Sequence, residues 1–428
     1  MSSPYKTASV YTLGCKVNFT ETSTIARDLQ EQGLSLVSFD EFADIYVINT
    51  CSVTENANTK CDRLVKKMRV TNPEAYIVVT GCYAQLKSEE LSKNKNIDLV
   101  VGSEDKMNIP DIIKNKIDNS LVTSNVEDIN AFKLSYSTGD RVRSFIKVQD
   151  GCDYNCTFCT IPLARGRSRS SKISDVVELV NSLERKGVKE IVLSGINLGD
   201  FGNGNDENCY QLLKAIEDST NIPRIRISSI EPNLLTDDII NLLSKSKRFM
   251  PHLHIPLQSG SDRILKLMKR RYNSNFYYNR IKSIKNKIPN ISIGVDVIVG
   301  FPTETDDDFN QTYDFLNKLE VAYLHVFTYS ERENTIGIEI EPKVPKDVRR
   351  IRSKKLRTLS EYLKSEFIIK NMNVNHTILV EGIDHNEGHG YTENYIKVKV
   401  DNINTSVNDL VNVKPLTESN QYIKGQRI

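Results

Sequence analysis

Residues 144–159 read SFIKVQDGCDYNCTFC, a strand-like run that leads into a loop with three cysteines. Cys152, Cys156 and Cys159 have the spacing CxxxCxxC, so their thiolates can bind three irons of one cubane cluster. A [4Fe–4S] cluster usually takes four thiolates, and no fourth cysteine lies nearby. The fourth iron is therefore open to a small-molecule chelator. A structural zinc site is the alternative, but it requires four ligands, and no histidine near this loop supplies the fourth.

The sequence from this strand onward alternates between strand-like and helix-like segments. Six strands that alternate with helices predict a parallel sheet, which we interpret as an incomplete (β/α)6 barrel. The helical patterns between the strands include Ile173–Lys186, Asp237–Leu243 and Phe309–Leu319. The predicted strands are Ser144–Val148, Glu190–Leu193, Ile225–Ser229, His252–Pro256, Gly294–Val299 and Tyr323–Phe327.

Residues 4–118 show the same alternation and predict an open parallel α/β domain. Three of its predicted strands are each followed by a cysteine, at Cys15, Cys51 and Cys82. Functional groups gather at the carboxyl ends of strands in such sheets, so we expect the three thiols at one rim. Three separate buried thiols are the alternative, because free cysteine is commonly buried. The predicted strands are Ala8–Leu13, Ile45–Asn49, Tyr76–Thr80 and Leu99–Gly102, and the predicted helices are Phe19–Gln32 and Asn58–Val70.

Changes in composition divide the rest of the chain. Residues 119–140 are polar and weakly patterned, which predicts a linker between the first α/β domain and a barrel domain at 141–370. From 371 to 428 the pattern changes to short β runs separated by glycine and asparagine, which predicts a small all-β barrel. These runs are His376–Glu381, Tyr395–Val400 and Asp409–Leu416.

The composition excludes several classes of protein. The chain has 428 residues with a mean hydropathy of −0.39, and its apolar runs are too short to cross a bilayer. The first residues lack the features of a signal peptide. Eight cysteines without an export signal indicate metal or redox chemistry on reduced thiols in the cytoplasm. With 57 basic and 55 acidic residues, the net charge of +2 argues against a globally basic nucleic-acid binder but leaves a local basic face open, and we expect neither a membrane nor DNA as a partner.

The cysteine loop resembles that of the radical SAM superfamily. There the open iron is chelated by S-adenosylmethionine (SAM), and one electron cleaves SAM to a 5′-deoxyadenosyl radical. The resemblance implies that Phe158 packs near the adenine and that Glu231 binds ribose hydroxyls. It also implies that the segment with Gly195 and Asn197 holds the methionyl amino group, although the common carboxylate is absent there. The segment from Gly300, which reads GFPTE, resembles the one that packs near the adenine and the SAM carboxylate.

The N-terminal cysteines closely resemble those of methylthiotransferases, a radical SAM family. Their contexts are GCKVN at Cys15, NTC at Cys51 and GCYA at Cys82. The resemblance covers nearly the whole chain and implies a methylthiotransferase domain, a radical SAM core and a C-terminal TRAM-type β domain. It implies a second [4Fe–4S] cluster on these thiols, where an added sulfide is methylated by one SAM. A second SAM then yields the radical that removes a hydrogen from the substrate, whose carbon takes up the methylthio group.

The same resemblance implies partners and a substrate. Hydrogen abstraction is homolytic, so no acid–base pair is expected and the catalytic side chains stay unknown. A sulfur source and an electron donor such as flavodoxin or ferredoxin are required. The sequence GCKVN resembles the MtaB-type branch, which acts on C2 of N6-threonylcarbamoyladenosine at position 37 of tRNAs.

Three alternatives to this substrate and activity stay open. The branch that acts on isopentenyladenosine in tRNA typically reads GCQMN at the first cysteine, and another branch acts on an aspartate of a ribosomal protein. An alternative of a different class is a noncatalytic iron–sulfur protein that binds RNA or transfers electrons. That alternative leaves Glu231 and the GFPTE segment without a purpose.

Basic residues that flank the predicted active site indicate contacts with RNA phosphates. They lie in the segment ARGRSRS after the cysteine loop and in the helical stretch Lys346–Arg357. A solvated face is the alternative for each cluster. The candidates are Arg165, Arg167, Arg169, Arg349, Arg350 and Lys354, with Lys60, Arg63, Lys66, Lys67 and Arg69 on an N-terminal helix. Cys61 and Cys209 match no motif, and we interpret Cys61 as part of a helix and Cys209 as incidental.

Overall fold

The computed structural model describes residues 5–52, 55–115, 120–139, 141–401, 403–419 and 421–428. Its N-terminal domain contains β1 (Thr7–Thr12), α1 (Lys16–Glu31), β2 (Ser35–Leu36), β3 (Ile45–Thr50), α2 (Glu55–Thr71), β4 (Tyr76–Gly81), α3 (Cys82–Leu86), α4 (Ser88–Ser92), β5 (Leu99–Val101), α5 (Ile109–Lys114) and β6 (Leu121–Val122). The six strands are all parallel and lie in the order β2-β1-β3-β4-β5-β6. The predicted open parallel α/β domain is confirmed.

Strand β3 lies in the middle of this sheet and is buried on both faces. Ile45 and Val47 pack in one apolar cluster with residues of α1 and α5, whereas Tyr46 and Ile48 pack in a second cluster with residues of α2. Successive side chains of a strand point to opposite faces, so a central parallel strand needs a continuous apolar run. This is why the segment was recognisable as a strand.

The carboxyl ends of β1, β3 and β4 lie side by side, with β3 in the centre. Thr50 pairs in register with Gly81, so Cys51 and Cys82 begin neighbouring loops at the same edge of the sheet. Cys15 begins its loop on the other side of β3, after β1. The parallel arrangement thereby brings three thiols that are far apart in sequence to one rim.

The second domain is an incomplete barrel of parallel strands surrounded by helices. It contains β7 (Ser135–Tyr136), β8 (Ser144–Lys147), β9 (Gln149–Asp150), α6 (Ile161–Arg165), β10 (Arg169–Ser170), α7 (Ile173–Arg185), β11 (Glu190–Ser194), α8 (Cys209–Ser219), β12 (Arg224–Ile227), α9 (Asp237–Lys245), β13 (His252–His254), α10 (Asp262–Leu267), α11 (Ser274–Lys287), β14 (Ser292–Val299), α12 (Asp306–Lys318), β15 (Tyr323–Thr328) and α13 (Lys346–Lys370). Strands β8, β11 and β12 form one parallel group, and β13, β14 and β15 form another. Parallel bridges, among them Ser229 to His254, connect the two groups. The predicted six-stranded incomplete barrel is confirmed.

Residues 119–140 were expected to be a linker, and their described part contributes a strand to each α/β domain. Leu121 pairs with Val100 in the N-terminal sheet, and Tyr136 pairs antiparallel with Ile146 at the edge of the barrel. Strands of two residues are too short to show an alternating pattern, which is why the sequence of this segment lacked a signal.

Strand β14 shows how the barrel separates its core from its interior. Val295, Val297 and Val299 pack in the large apolar cluster that includes the surrounding helices. Gly294 and Asp296 alternate with them and face the inside of the barrel. We call the space enclosed by these interior faces the lumen.

The C-terminal domain is a closed five-stranded barrel, as predicted for a TRAM-like module. It contains β16 (His376–Asp384), β17 (Glu387–Tyr391), β18 (Lys397–Asp401), β19 (Leu410–Glu418) and β20 (Ile423–Arg427), in the order β16-β17-β18-β20-β19. Arg224 and Arg226 donate to the carbonyl oxygen of Thr392 at 2.9 Å and 2.8 Å, so the loop after β17 packs against β12. In the described ranges no helix is long and apolar enough to span a membrane.

Gly81 and Gly33 provide a matched test of the strand end that carries Cys82. Gly81 has a φ of +97°, and a Cβ there would lie 2.3 Å from the carbonyl oxygen of Thr50. Gly33 has a φ of +92° with open space around it. Both alanine variants carry the strain of a positive φ, about 1–3 kcal/mol, and only Gly81→Ala must also displace backbone. We expect Gly81→Ala to lower the thermal unfolding midpoint further than Gly33→Ala, measured by circular dichroism, and equal shifts would contradict this.

Candidate functional site

The N-terminal thiols are positioned at the sheet rim with the help of Asn18. Its Nδ2 donates to the carbonyl oxygens of Leu13 (2.9 Å) and Thr50 (2.8 Å), so one side chain of α1 ties the loop after β1 to the end of β3. Cys51 and Cys82 are buried, whereas Cys15 is exposed. The structure thus brings the three predicted ligands to one place and leaves one side of the group accessible.

The loop thiols accept hydrogen bonds from the backbone that surrounds them. The N–H of Tyr154 donates to Cys152 Sγ (3.4 Å), and the N–H of Ile161 donates to Cys159 Sγ (3.4 Å). Burial raises the pKa of Cys152 and of Cys159 to about 12. Thiols in this condition are protonated at neutral pH and ionise when they bind a metal.

Arg270 connects the remaining loop thiol to a residue that was predicted to bind SAM. Its Nη1 donates to Cys156 Sγ (3.0 Å), and its Nη2 pairs with Glu231. The guanidinium is buried, so it places a positive charge beside the sulfur. Sequence analysis missed Arg270, because the basic run at 269–271 does not show which of its members is buried.

Asn197 offers an open acceptor at the carboxyl end of β11. Its backbone N–H donates to Gln149 Oε1 (2.9 Å), and its Nδ2 donates to Asp200 Oδ2 (2.9 Å). Its Oδ1 is buried and has no hydrogen-bond partner among the described residues. Gly195 lies against the same glutamine, where a Cβ would come within 2.8 Å of Oε1. An acceptor that the protein does not satisfy fits the amino group that the resemblance assigns to this segment.

Phe158 and Gly300 lie near a small apolar cluster below the loop. Phe158 packs against this cluster, which includes Ile298 and Phe301 at the end of β14. The N–H of Gly300 donates to Glu304 Oε2 (2.7 Å), which holds the turn of the GFPTE segment. The structure therefore places Phe158 beside the segment that begins at Gly300, which sequence analysis connected with the adenine.

Five charged residues form a buried network where the two α/β domains meet. Arg165 Nη1 lies 3.0 Å from Glu21 Oε1 and 2.8 Å from Asp150 Oδ1. Lys106 and Lys147 approach the same Glu21 oxygen at 2.6 Å and 3.1 Å. All five side chains are at most 3% exposed. Burial acts to raise the pKa of Glu21, but the three cations hold that pKa below its ordinary value.

Three cations face two carboxylates in this network, which leaves an excess of positive charge beside the N-terminal thiols. Arg165 Nε donates to Cys82 Sγ (3.2 Å), and its Nη2 donates to Asn18 Oδ1 (2.5 Å). Thiolate ligands of a metal would supply the missing negative charge. Each triad thus combines three thiols with a buried guanidinium beside one sulfur, and this donor set fits an iron–sulfur cluster.

Two of the arginines expected to contact RNA phosphates are buried, and for these two the prediction is wrong. Arg165 has no exposed side-chain surface because both α/β domains enclose it. Arg349 is 3% exposed, and its Nη1 donates to the carbonyl oxygen of Tyr329 (3.0 Å). The candidates that stay exposed or partly exposed are Arg167, Arg169, Arg350 and Lys354.

The cysteines without a motif lie in apolar cores. Cys61 packs between α2 and the N-terminal sheet, and Cys209 packs at the start of α8. Burial raises the pKa of both thiols to about 12. On the N-terminal helix, Arg69 pairs with Asp98 at 2.7 Å, so part of its basic face already has a partner within the protein.

Polar residues from neighbouring strands line the lumen. His254 Nε2 lies 2.8 Å from Asp296 Oδ1, and His325 Nδ1 lies 3.3 Å from the same oxygen. Ser229 Oγ lies 2.5 Å from His254 Nδ1. Burial acts to raise the pKa of Asp296, but the hydrogen bonds from the two histidines hold it at about 2. Asp296 is therefore ionised at neutral pH and fixes the orientation of both imidazoles.

We call the end of the lumen next to the C-terminal barrel the floor, formed by Lys16, Arg143, Glu190, Arg226, His252 and Tyr395. Tyr395 stacks on His252 with 4.4 Å between ring centroids, and the Arg226 guanidinium lies 5.0 Å from the Tyr395 ring. Lys16, the first residue of α1, lies close to these groups. The floor thus combines residues from all three domains.

A three-cysteine loop after the first strand of an incomplete parallel barrel, with an open acceptor at the next strand end, defines the class of this protein as a radical SAM enzyme. Residues 146–316 match the Radical SAM superfamily. Residues 7–102, which carry the N-terminal triad, match a family described as Uncharacterized protein family UPF0004.

Curated relatives match nearly the whole chain. The "Threonylcarbamoyladenosine tRNA methylthiotransferase MtaB" of Bacillus subtilis is 36% identical, over 98% of this chain and 96% of that protein. The protein with the same name from Aquifex aeolicus is 38% identical, over 91% and 95% of the two chains. A "tRNA-2-methylthio-N(6)-dimethylallyladenosine synthase" of a Hydrogenobaculum species is 34% identical, over 87% and 88%. The chain belongs to the radical SAM methylthiotransferase family and is of the MtaB type.

Solved structures support the fold at much lower identity. The radical SAM methyltransferase TsrM from Kitasatospora setae, solved with cobalamin and a [4Fe-4S] cluster bound, has a TM-score of 0.56 at 14% identity. The match covers 78% of this chain and 77% of that chain. The cobalamin-dependent radical enzyme OxsB has a TM-score of 0.52 at 12% identity, over 84% of this chain and 56% of that chain.

Replacing Arg165 tests the buried network. Arg165→Met removes the donor to Cys82 and leaves carboxylate oxygens of Glu21 and Asp150 without their partner. We expect a loss of about 3–5 kcal/mol in the free energy of unfolding. Iron after anaerobic reconstitution should fall from about eight to about four per chain, because each cubane carries four irons. Arg167→Met, on the exposed part of the same segment, is the matched control and should keep the wild-type stability and iron content. An unchanged iron content in Arg165→Met would show that Arg165 is not needed for the N-terminal cluster.

Proposed function

We propose that this protein adds a methylthio group to C2 of N6-threonylcarbamoyladenosine at position 37 of tRNAs. One SAM serves as the methyl donor and another as the radical source. The observation that carries the proposal is the pair of thiol triads on the two α/β domains, which meet in one buried network, in a chain of the MtaB type. A sulfur carrier and a radical source in one molecule are what methylthiolation requires.

The positions of the two thiol triads support an assignment of the residues that would hold the cofactors. Cys15, Cys51 and Cys82 would hold the N-terminal [4Fe–4S] cluster, and the three loop thiols, Cys152, Cys156 and Cys159, would hold the second. When bound, the loop cluster supplies reductive cleavage of SAM, and the N-terminal cluster supplies a binding site for the sulfur that is methylated.

Side chains around the loop would bind and orient SAM. Asn197 Oδ1 is placed to accept from the methionyl amino group, and Gly195 allows close approach at the same strand end. Glu231 is held by Arg270, which fixes the carboxylate for ribose hydroxyls. Phe158 would pack against the adenine of SAM. The backbone N–H of Gly300 stabilises the turn that follows β14 through its hydrogen bond to Glu304.

The partners implied are a tRNA, a sulfur source and an electron donor such as flavodoxin or ferredoxin. Arg350 and Lys354 lie on the exposed face of α13, and Arg167 is exposed after the cysteine loop, so these three side chains are placed for phosphate contacts. The guanidinium of Arg169 donates to the carbonyl oxygens of Ala131 (2.9 Å) and Arg165 (2.6 Å) and is less available. Because cluster thiols must stay reduced until iron is loaded, we place the protein in the cytoplasm.

The substrate is tested with two anticodon stem-loop RNAs that carry either threonylcarbamoyladenosine or isopentenyladenosine. Reconstituted protein, reductant, SAM and a sulfide source are incubated with each RNA under anaerobic conditions. We expect the methylthio product on the first RNA, identified by mass spectrometry of the nucleosides. A product on the isopentenyl RNA alone would overturn the choice of substrate, and neither product nor SAM cleavage would favour a noncatalytic iron–sulfur protein.

The division of work between the clusters is tested by two cysteine variants. Cys51→Ala leaves two thiols at the N-terminal site and leaves the loop triad unchanged. It should still form 5′-deoxyadenosine from SAM but no methylthiolated nucleoside. Cys156→Ala should form neither product, because SAM cleavage needs the loop cluster. Both products are measured by mass spectrometry in one anaerobic assay, and normal methylthiolation by Cys51→Ala would show that the N-terminal thiols are structural.

A further inference from the structure

The ammonium group of Lys16 has no partner among the described residues, although several charged or ionisable side chains lie near it. It follows Cys15 directly and begins α1. Its side chain is accessible to solvent, and the charged or ionisable groups that act on it include Tyr395, Arg143 and Arg226. No hydrogen bond or ion pair to another described residue satisfies its ammonium group. The side chain of Lys16 is thus accessible to solvent and lies among groups that form the floor of the lumen.

The other cations of the floor are already paired. Arg226 Nε lies 2.7 Å from Glu190 Oε1, and Arg224 Nε lies 2.7 Å from the second oxygen of the same carboxylate. Arg143 Nε lies 2.7 Å from Glu381 Oε1. With Arg224, which lies beside the floor, four cationic groups therefore face the carboxylates of Glu190 and Glu381. The carboxylate of Glu393 also acts on Arg224, but it is already paired with His376 at 2.8 Å. The floor carries an excess of positive charge, and Lys16 is the member whose ammonium group has no anion.

The remaining groups at the floor do not supply a negative charge. Burial lowers the pKa of His252, and the charges of Arg226 and Lys16 act in the same direction, so this imidazole is neutral. Its Nε2 lies 2.8 Å from the hydroxyl group of Tyr323, and its ring stacks on Tyr395. Flat rings beside an unpaired cation suit a planar ligand that ends in an anion.

We propose that Lys16 is a specificity-determining residue, which binds the carboxylate of the threonylcarbamoyl group while the adenine lies between the two thiol triads. This inference rests on the proposed function and adds the contact that selects the substrate. The ammonium group lies one residue from Cys15, so an anchored carboxylate holds the modified base next to the N-terminal triad. An isopentenyl group has no anion to offer and leaves the ammonium group desolvated without a partner, which disfavours its binding.

The test uses three stem-loop RNAs that carry threonylcarbamoyladenosine, its carboxyl methyl ester or isopentenyladenosine. For the wild-type protein we expect kcat/KM to be at least about tenfold higher for the acid than for the ester, equivalent to about 1.4 kcal/mol. Lys16→Gln should bring this ratio close to one, and Lys16→Arg should restore much of it. Lys95→Gln, at an exposed lysine of the same domain, should keep the wild-type ratio. Iron content is measured for every variant.

The outcomes separate this inference from the proposed function. Equal use of acid and ester by the wild-type protein overturns the carboxylate contact, and this comparison needs no variant. If Lys16→Gln has the wild-type iron content and still shows the wild-type ratio of kcat/KM for acid over ester, Lys16 is not the residue that binds the carboxylate. In both cases methylthiolation of the threonylcarbamoyl RNA still stands. Activity on the isopentenyl RNA alone overturns the proposed function itself.

Discussion

Arg165 joins the two α/β domains through contacts that neither domain can satisfy alone. Its guanidinium reaches Glu21 and Asn18 of the first domain, Asp150 of the second, and the sulfur of Cys82. A buried charge that loses its partner destabilises a protein by several kcal/mol, so the two domains are held in the one arrangement that completes this network. The relative placement of the two thiol triads depends on it.

The sequence predicted the fold and the location of the cysteines because both follow from periodic or local rules. Apolar runs such as residues 45–48 of the predicted strand Ile45–Asn49 identify central parallel strands, and parallel strands end at one rim. The burial of Arg165 and Arg270 was missed for the opposite reason. Each contacts residues from distant parts of the chain, and no local pattern distinguishes a buried guanidinium from one on the surface.

The sequence of helix α13 contains a pattern that indicates which of its basic residues are buried. Its buried positions include Arg349, Arg352, Leu356, Leu359 and Leu363, spaced by three or four residues. The leucines alone indicate which face of the helix is buried. The same spacing of three or four residues, continued toward the N-terminus of the helix, places Arg349 and Arg352 on that face. Arg350 and Lys354 fall on the other face and are exposed. The basic run therefore contains buried and exposed side chains, and a count of charges does not distinguish between them.

The depth of the lumen has a consequence for the RNA. Its floor is formed in part by Tyr395, from the loop between β17 and β18, and lies at the end of the barrel opposite the cysteine loop. A base can reach this depth only after it has been extruded from its neighbours in the nucleic acid. Unstacking and unpairing cost a few kcal/mol, and least where the nucleotide is already unpaired. The enclosure itself therefore discriminates against adenines in stems, independently of any contact with their substituents.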